Sequence, residues 1–306
     1  MRRPLGGILA AVVCIVLAAC GGTPEPPPDP DAVRDAEISS SLEMARFAFL
    51  SGRYDQATQA YSGSLERAYA RDDVAAIAVA GQELAFSYLR DGKPKEAARA
   101  ASRTREELAR RGRPARPALA LVEATARYRL KETATAELLA REVAGAKTDD
   151  PMAAARATFL LGLIAADRGD PPALSAALDA LPQFNDQPEI RADRLHLTGR
   201  LHLIRKEHQP AANAFMAEEA LRRAGGDEPG VARALALAVE ATEMSGRKTL
   251  AADLWFRSGR SAAQEDGAAA ATTRLRRAET LARQTGQPEL ANEARRLRLD
   301  LKNRQP

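Results

Sequence analysis

Aromatic side chains make up only 4% of the 306 residues, and a single tryptophan is among them. So few rings argue against a binding pocket walled by aromatics and against a compact core of large side chains. Cysteine is almost missing, with Cys14 and Cys20 the two present. Cys14 falls in a segment read below as removed, so Cys20 has no disulfide partner and the fold cannot rest on bridges. From Val33 onward there is no strand-like alternation. No apolar run reaches the roughly 20 residues of a membrane span. Blocks of like charge are also missing, and the formal charge of +4 drops to about +2 once Arg2 and Arg3 are set aside. That excludes a basic stripe, and with it a nucleic-acid partner.

What the chain has instead is alanine, roughly a fifth of all residues, far above ordinary usage. Alanine is the best helix former. A core made from it requires backbones packed closely, which predicts an all-α protein of many thin layers.

The N-terminus has three parts. Met1 to Pro4 supplies positive charge, Leu5 to Leu17 is apolar, and Ala18 and Ala19 are small. This is the layout of a secretory signal. The tetrad Leu17-Ala18-Ala19-Cys20 resembles the lipobox of bacterial lipoproteins. The resemblance implies cleavage before Cys20 and acylation of its thiol and new amine, giving a lipid-anchored (palmitoylated) protein. Several acyl chains, each methylene contributing about 0.8 kcal/mol, hold a protein to a membrane without a spanning helix. In enteric bacteria the family's sorting rule reads the residue after the cysteine. Gly21 there implies the outer membrane, facing the periplasm. The stretch GGTPEPPPDPD, Gly21 to Asp31, favours polyproline II and reads as a semi-rigid tether. The expected division is a signal peptide over 1–19, an anchored cysteine and linker over 20–32, and a helical domain over 33–303.

That domain is periodic. Short turns fall at Gly52, Gly92, Lys131, Gly169, Lys206, Gly246 and Gly286, spaced by 40, 39, 38, 37, 40 and 40 residues. Five places after them stand Ala57, Ala97, Ala136, Leu174, Ala211, Ala251 and Ala291. Seven places before them stand Ala45, Ala85, Ala124, Gly162, Gly199, Val239 and Glu279. Three columns in step over seven units predict seven helix hairpins. Each has a tight internal turn ended by a left-handed residue and a looser loop to the next unit. Nine places after the turn, Tyr61, Leu178, Phe215 and Trp255 are expected to plug the gap between units. In the last unit, Glu279 and Arg295 occupy columns that are elsewhere small or apolar, which predicts a terminal unit with one face in water. One hairpin cannot bury its own apolar face, so hairpins stack into an α-solenoid.

These columns, with the form ALRRAGGDEPGVARALALA at Ala220 to Ala238, resemble tetratricopeptide repeats in their forty-residue variant, over roughly Ala36 to Leu301. The resemblance implies that the first helix of each hairpin lines a concave groove that takes an extended peptide or a partner's helix. Arg46, Phe86, Thr125, Leu163, Arg200 and Glu240 would face it, followed one turn later by Phe49, Leu89, Tyr128, Leu203 and Glu243. Arg46, Phe86, Tyr128, Arg200 and Glu240 are the candidate partner-binding residues, arginine and aromatics being favoured at binding hot spots. The alternative is that the aromatics are core between repeats and the arginines merely solvated. The family's carboxylate clamp uses asparagines on these helices, and none stands at these positions.

No enzymatic chemistry is expected. His196, His202 and His208 are six apart, which turns successive rings to different sides of a helix and does not make a metal site. GRSAA at Gly259 lacks the second glycine of a nucleophile elbow, and GRKT at Gly246 is not a phosphate loop. Asp72-Asp73 and Asp149-Asp150 sit where carboxylates cap helices. The sequence therefore reads as a scaffold or assembly factor for envelope proteins, with no cofactor and no metal. A cell-wall glycan or small-ligand binder, or the helical part of a cell-wall enzyme, are the alternatives. An enzyme would need a separate catalytic domain, for which the repeats leave no room.

Overall fold

A computed structural model describes residues 33, 35–146, 150–181, 187–265 and 267–303. The signal segment 1–19, Cys20 and the proline-rich stretch 21–32 lie outside the described residues. Val33 begins a unit of its own. In it α1 (Ala36–Leu50) pairs with α2 (Tyr54–Ala70), α3 (Val74–Arg90) with α4 (Pro94–Arg110), and α5 (Pro117–Arg129) with α6 (Thr133–Gly145). Then α7 (Pro151–Arg168) pairs with α8 (Pro171–Ala180), α9 (Pro188–Ile204) with α10 (His208–Ala224), α11 (Glu228–Met244) with α12 (Lys248–Glu265), and α13 (Ala268–Gln284) with α14 (Pro288–Asn303). Among the described residues the fold is all-α, a solenoid of seven hairpins, as the repeat predicts.

All seven turn residues have positive φ, from 60° at Lys206 to 77° at Gly246. Beyond each, the next amide reaches back five residues: Arg53 N–H donates to the Ala48 carbonyl at 2.9 Å, and Gln287 N–H to the Ala282 carbonyl at 2.8 Å. This closes the helix end and satisfies carbonyls that the last turn would leave bare. Lys131 and Lys206 adopt the conformation without glycine, at a cost of about 1 kcal/mol each. The looser loop expected between units is not found at 71–73 or 225–227. There Asp72 and Gly226 are themselves left-handed, and Asp73 N–H and Asp227 N–H return to the Ala68 and Arg222 carbonyls at 3.0 and 2.9 Å. Aspartate and glycine both tolerate that backbone, so the chain turns as tightly between these hairpins as within them. Asp73 and Asp150 cap the following helices, accepting from Ala76 N–H at 3.0 Å and Ala153 N–H at 2.9 Å.

Both small columns are buried along their whole length, from Ala45 and Ala57 to Glu279 and Ala291. They let a large neighbour lie flat on a backbone. A Cβ built on Gly199 would stand 2.5 Å from the Phe215 ring, and one on Gly162 2.4 Å from a Leu197 methyl. The plugs Tyr61 and Phe215 are fully enclosed, a burial that contributes about 1.5–3 kcal/mol for a side chain of this size. Arg295 at the last plug position is exposed, as expected for a terminal unit. Glu279 is not: it is buried, with Arg283 of its own helix at 2.5 Å and Arg298 of α14 at 3.0 Å. Its carboxylate is enclosed because two guanidiniums neutralise it, where the sequence suggested a face in water. At the other end, Met44, Phe47 and Leu50 of α1 are 64%, 65% and 77% exposed.

Through the first five hairpins the first helices pack on one another, α1 on α3, α3 on α5, α5 on α7 and α7 on α9, while the second helices of those hairpins stay apart. Closer spacing on one side bends the array toward that side, which puts the first helices on the inside of the curve. Past α9 the pattern changes, and α12 packs on α14.

Two glycines test this packing. Gly199→Ala should lower stability by about 1–3 kcal/mol through overpacking against Phe215. Gly63→Ala, in α2 with nothing within 4 Å of a built Cβ, should raise it by about 0.5–1 kcal/mol. Thermal melts followed by circular dichroism compare the two, and a Gly199→Ala variant melting at or above the parent would refute the close-approach account.

Candidate partner-binding groove

Arg46 extends from α1 with its side chain 62% exposed, 3.8 Å from Glu83 on α3. Below them the Tyr61 hydroxyl is pushed up to about 12, first by burial and then by the Glu83 charge, against the opposing pull of Arg46. Burial also raises Glu83 itself, with Arg46 again opposing. Phe86 on α3 lies 5.5 Å from Phe49 on α1, ring centre to ring centre, and is 37% exposed. Phe49 in turn meets Tyr54 edge-on at 5.4 Å. One end of the inner face is thus an aromatic step with a cation beside it.

Further along, Tyr128 and Arg200 converge on a residue that the sequence did not single out. The Tyr128 hydroxyl donates to Asp167 Oδ2 at 2.6 Å and Arg200 donates to Asp167 Oδ1 at 2.6 Å. This ties α5, α7 and α9 together across the inner face. Burial works against the Asp167 carboxylate, but the two hydrogen bonds, with the charges of Arg200 and Lys131, outweigh it and hold it below the usual carboxylate range. Tyr128 moves the other way, raised by burial and by its bond to Asp167. Asp167 stands two places before its turn. That position faces inward also in α3 and α5, where it holds Arg90 and Arg129, and reading it would have found all three.

Glu240 is exposed on α11, separate from these clusters. Glu243 pairs with Arg277 of α13 and accepts from the Trp255 ring nitrogen at 2.9 Å. Leu89, expected in the groove, is core instead, 6% exposed against α1–α4 residues. Its carbonyl does reach the inner face, where Arg129 donates to it at 2.7 Å. Leu163 and Leu203 are likewise partly buried against the cores of their own hairpins. Among the described residues no group of three His, Cys, Asp or Glu side chains is placed to hold a metal ion. His196 is buried with its Nδ1 at 3.0 Å from Glu218, a pairing internal to α9 and α10. A hollow of about 520 Å³ between α6, α7 and α8 is walled mainly by alanines and by no aromatic ring.

A tetratricopeptide repeat protein from Parabacteroides merdae superposes with a TM-score of 0.51 at 13% identity, over 85% of this chain and 99% of that one. A Rap protein complexed with Competence and Sporulation Factor gives 0.52 at 12% identity, over 88% and 98%. The fold is tetratricopeptide-like. The likeness covers most of the chain and is one of architecture. No protein-family model matches the chain, and no curated protein matches it either. In this TPR-like solenoid the inner face is therefore described by its own residues, given above.

The Asp167 bridge gives a pH-dependent prediction. A carboxylate whose folded value lies below its unfolded value, about 4, stabilises fully above that value and loses the contribution as pH falls through the folded one. Asp167→Asn should cost about 1 kcal/mol at pH 7, the scale of a partly solvated charged hydrogen bond, and less at an acidic pH below that unfolded value. Urea unfolding at the two pH values checks this, and an equal loss at both would contradict the bridge.

Proposed function

We propose that this chain is a lipid-anchored protein of the bacterial envelope whose TPR-like solenoid gathers protein partners along the inner face of its first helices. The observation that carries the groove is the combination at its N-terminal end: Phe86 packed at a tilt against Phe49 and still open to solvent, beside the exposed Arg46. An aromatic anchor with an adjacent guanidinium, on a rigid curved array, is the chemistry of a protein–protein hot spot. The Rap protein of similar fold, with its bound factor, supports the reading that such an array can hold another molecule. The anchor rests on Leu17-Ala18-Ala19-Cys20 and on the signal-like run before it. Gly21 supports an outer-membrane address, and the proline-rich sequence that follows supports a tether holding the solenoid in the periplasm. A scaffold of this kind does no chemistry of its own.

Affinity capture of the full-length protein from solubilised envelopes, after crosslinking in cells, tests the groove. One or two stoichiometric proteins should be recovered with the wild type and reduced about tenfold by an Arg46→Ala/Phe86→Ala double variant that melts like the parent. Equal recovery would remove the inner face from the account. Cys20→Ala should leave the protein uncut or soluble in the periplasm, and a variant that is processed and sediments with membranes like the wild type would refute the anchor.

A further inference from the structure

Two places on the inner face hold the same three kinds of group, a tyrosine hydroxyl, a carboxylate and a guanidinium. At the first, Tyr128 and Arg200 both donate to Asp167 at 2.6 Å, and the set is closed on itself. At the second, Tyr61, Glu83 and Arg46 stand together without closing. Arg46 is 3.8 Å from Glu83, beyond hydrogen-bond length. Arg105 and Arg222 also have long pairs, at 3.4 Å with Glu142 and Glu218, but each holds a second carboxylate more closely. Arg46 has no second one among the described residues. Tyr61, of α2, is 1% exposed and near enough to feel both charges, yet its hydroxyl makes no hydrogen bond of ordinary geometry. A buried hydroxyl left without a partner lowers stability. Tyr69 is orphaned too, but it lies under Arg103 of α4, and the Glu107–Arg111 pair near it is closed at 2.6 Å. At Tyr61 the orphan hydroxyl, the open ion pair and the exposed ring of Phe86 coincide.

We propose that Arg46, Glu83 and Tyr61 form a site for the carboxamide side chain of a protein partner, a glutamine or asparagine followed closely by an apolar residue. This rests on the groove reading above and names what the N-terminal end of the groove takes. A carboxamide carries an acceptor oxygen and a donor nitrogen side by side, about 2.3 Å apart. Its oxygen accepts from Arg46 while its nitrogen donates to Glu83, and slightly splayed bonds of ordinary length span the 3.8 Å between those two groups. The Tyr61 hydroxyl beneath donates to the same oxygen. A carboxylate in that place would meet Glu83 and an ammonium would meet Arg46, so the pair selects against either charge. An apolar side chain there would leave all three groups bare. Three residues on along α1 and α3, about one turn, Phe49 and Phe86 lie 5.5 Å apart. An extended segment presents side chains two apart on one face, so one enters between the charges and the next rests on the rings.

The test is fluorescence anisotropy with purified full-length protein and a dye-labelled peptide of three Gln-Ser-Leu-Ser repeats. Peptides of Glu-Ser-Leu-Ser, Lys-Ser-Leu-Ser and Gln-Ser-Ser-Ser repeats serve as comparisons. The Gln-Ser-Leu-Ser peptide should bind at least about fivefold more tightly than the other three. Glu83→Gln should reverse the order of the glutamine and glutamate peptides, because the repelling charge is gone and Arg46 then meets a carboxylate freely. Tyr61→Phe should weaken the glutamine peptide about fivefold. It should also melt no lower than the parent, since the hydroxyl it removes has no partner in the free protein, and this separates lost binding from lost folding. Equal binding of the four peptides, an unchanged order with Glu83→Gln, or a Tyr61→Phe variant that melts below the parent would each overturn the proposal. If Glu83→Gln and Tyr61→Phe still capture the envelope partner that Arg46→Ala/Phe86→Ala loses, this site falls while the groove reading stands.

Discussion

Everything in this molecule depends on helices coming close enough for alanine and glycine to be a core. With 4% aromatics there is little bulk to fill space, so the space itself has to be small. The columns flanking each turn supply that condition by removing side chains where two backbones meet. At some junctions a large group, such as Tyr61 or Phe215, then closes what remains. Dispersion at these contacts is lost steeply with distance, which is why a single added methyl at Gly199 reaches further than its size. The left-handed turn residues are the other half of the same constraint. They reverse the chain in the fewest residues and hold each pair in register.

Curvature follows from this packing, and the electrostatics of the inner face follow from curvature. First helices that touch from α1 to α9 bring charges of neighbouring units within bonding distance, and most of those charges answer one another. Asp167 shows the consequence. It takes a hydroxyl from α5 and a guanidinium from α9, so one carboxylate fixes the relation of three hairpins. A face built this way is rigid before any partner arrives, which lowers the ordering cost of binding.

Much of the fold could be read from the sequence because its information is repeated. The seven turn positions, the two small columns and the plugs are each present several times, and a pattern of period forty survives the loss of any one glycine, as Lys131 and Lys206 demonstrate. The inner face is not repeated in that way. Tyr128 and Arg200 could be placed on it from register alone, but their meeting through Asp167 could not, since that depends on how far one hairpin is rotated against the next. Glu279 misled for a related reason. A carboxylate in a small-residue column reads as exposed until Arg283 and Arg298 are seen to enclose it. Connections 71–73 and 225–227 also differ from the expected looser loops, because Asp72 and Gly226 take the left-handed backbone there.

The central claim is that the inside of the curve is the working surface. A photo-crosslinking amino acid placed at position 86, on the inner face, and separately at position 99, on the exposed side of α4, interrogates both surfaces in living cells. The account predicts a discrete protein adduct from position 86 and none from position 99. Adducts from position 99 alone would put the partner on the outer helices and contradict it.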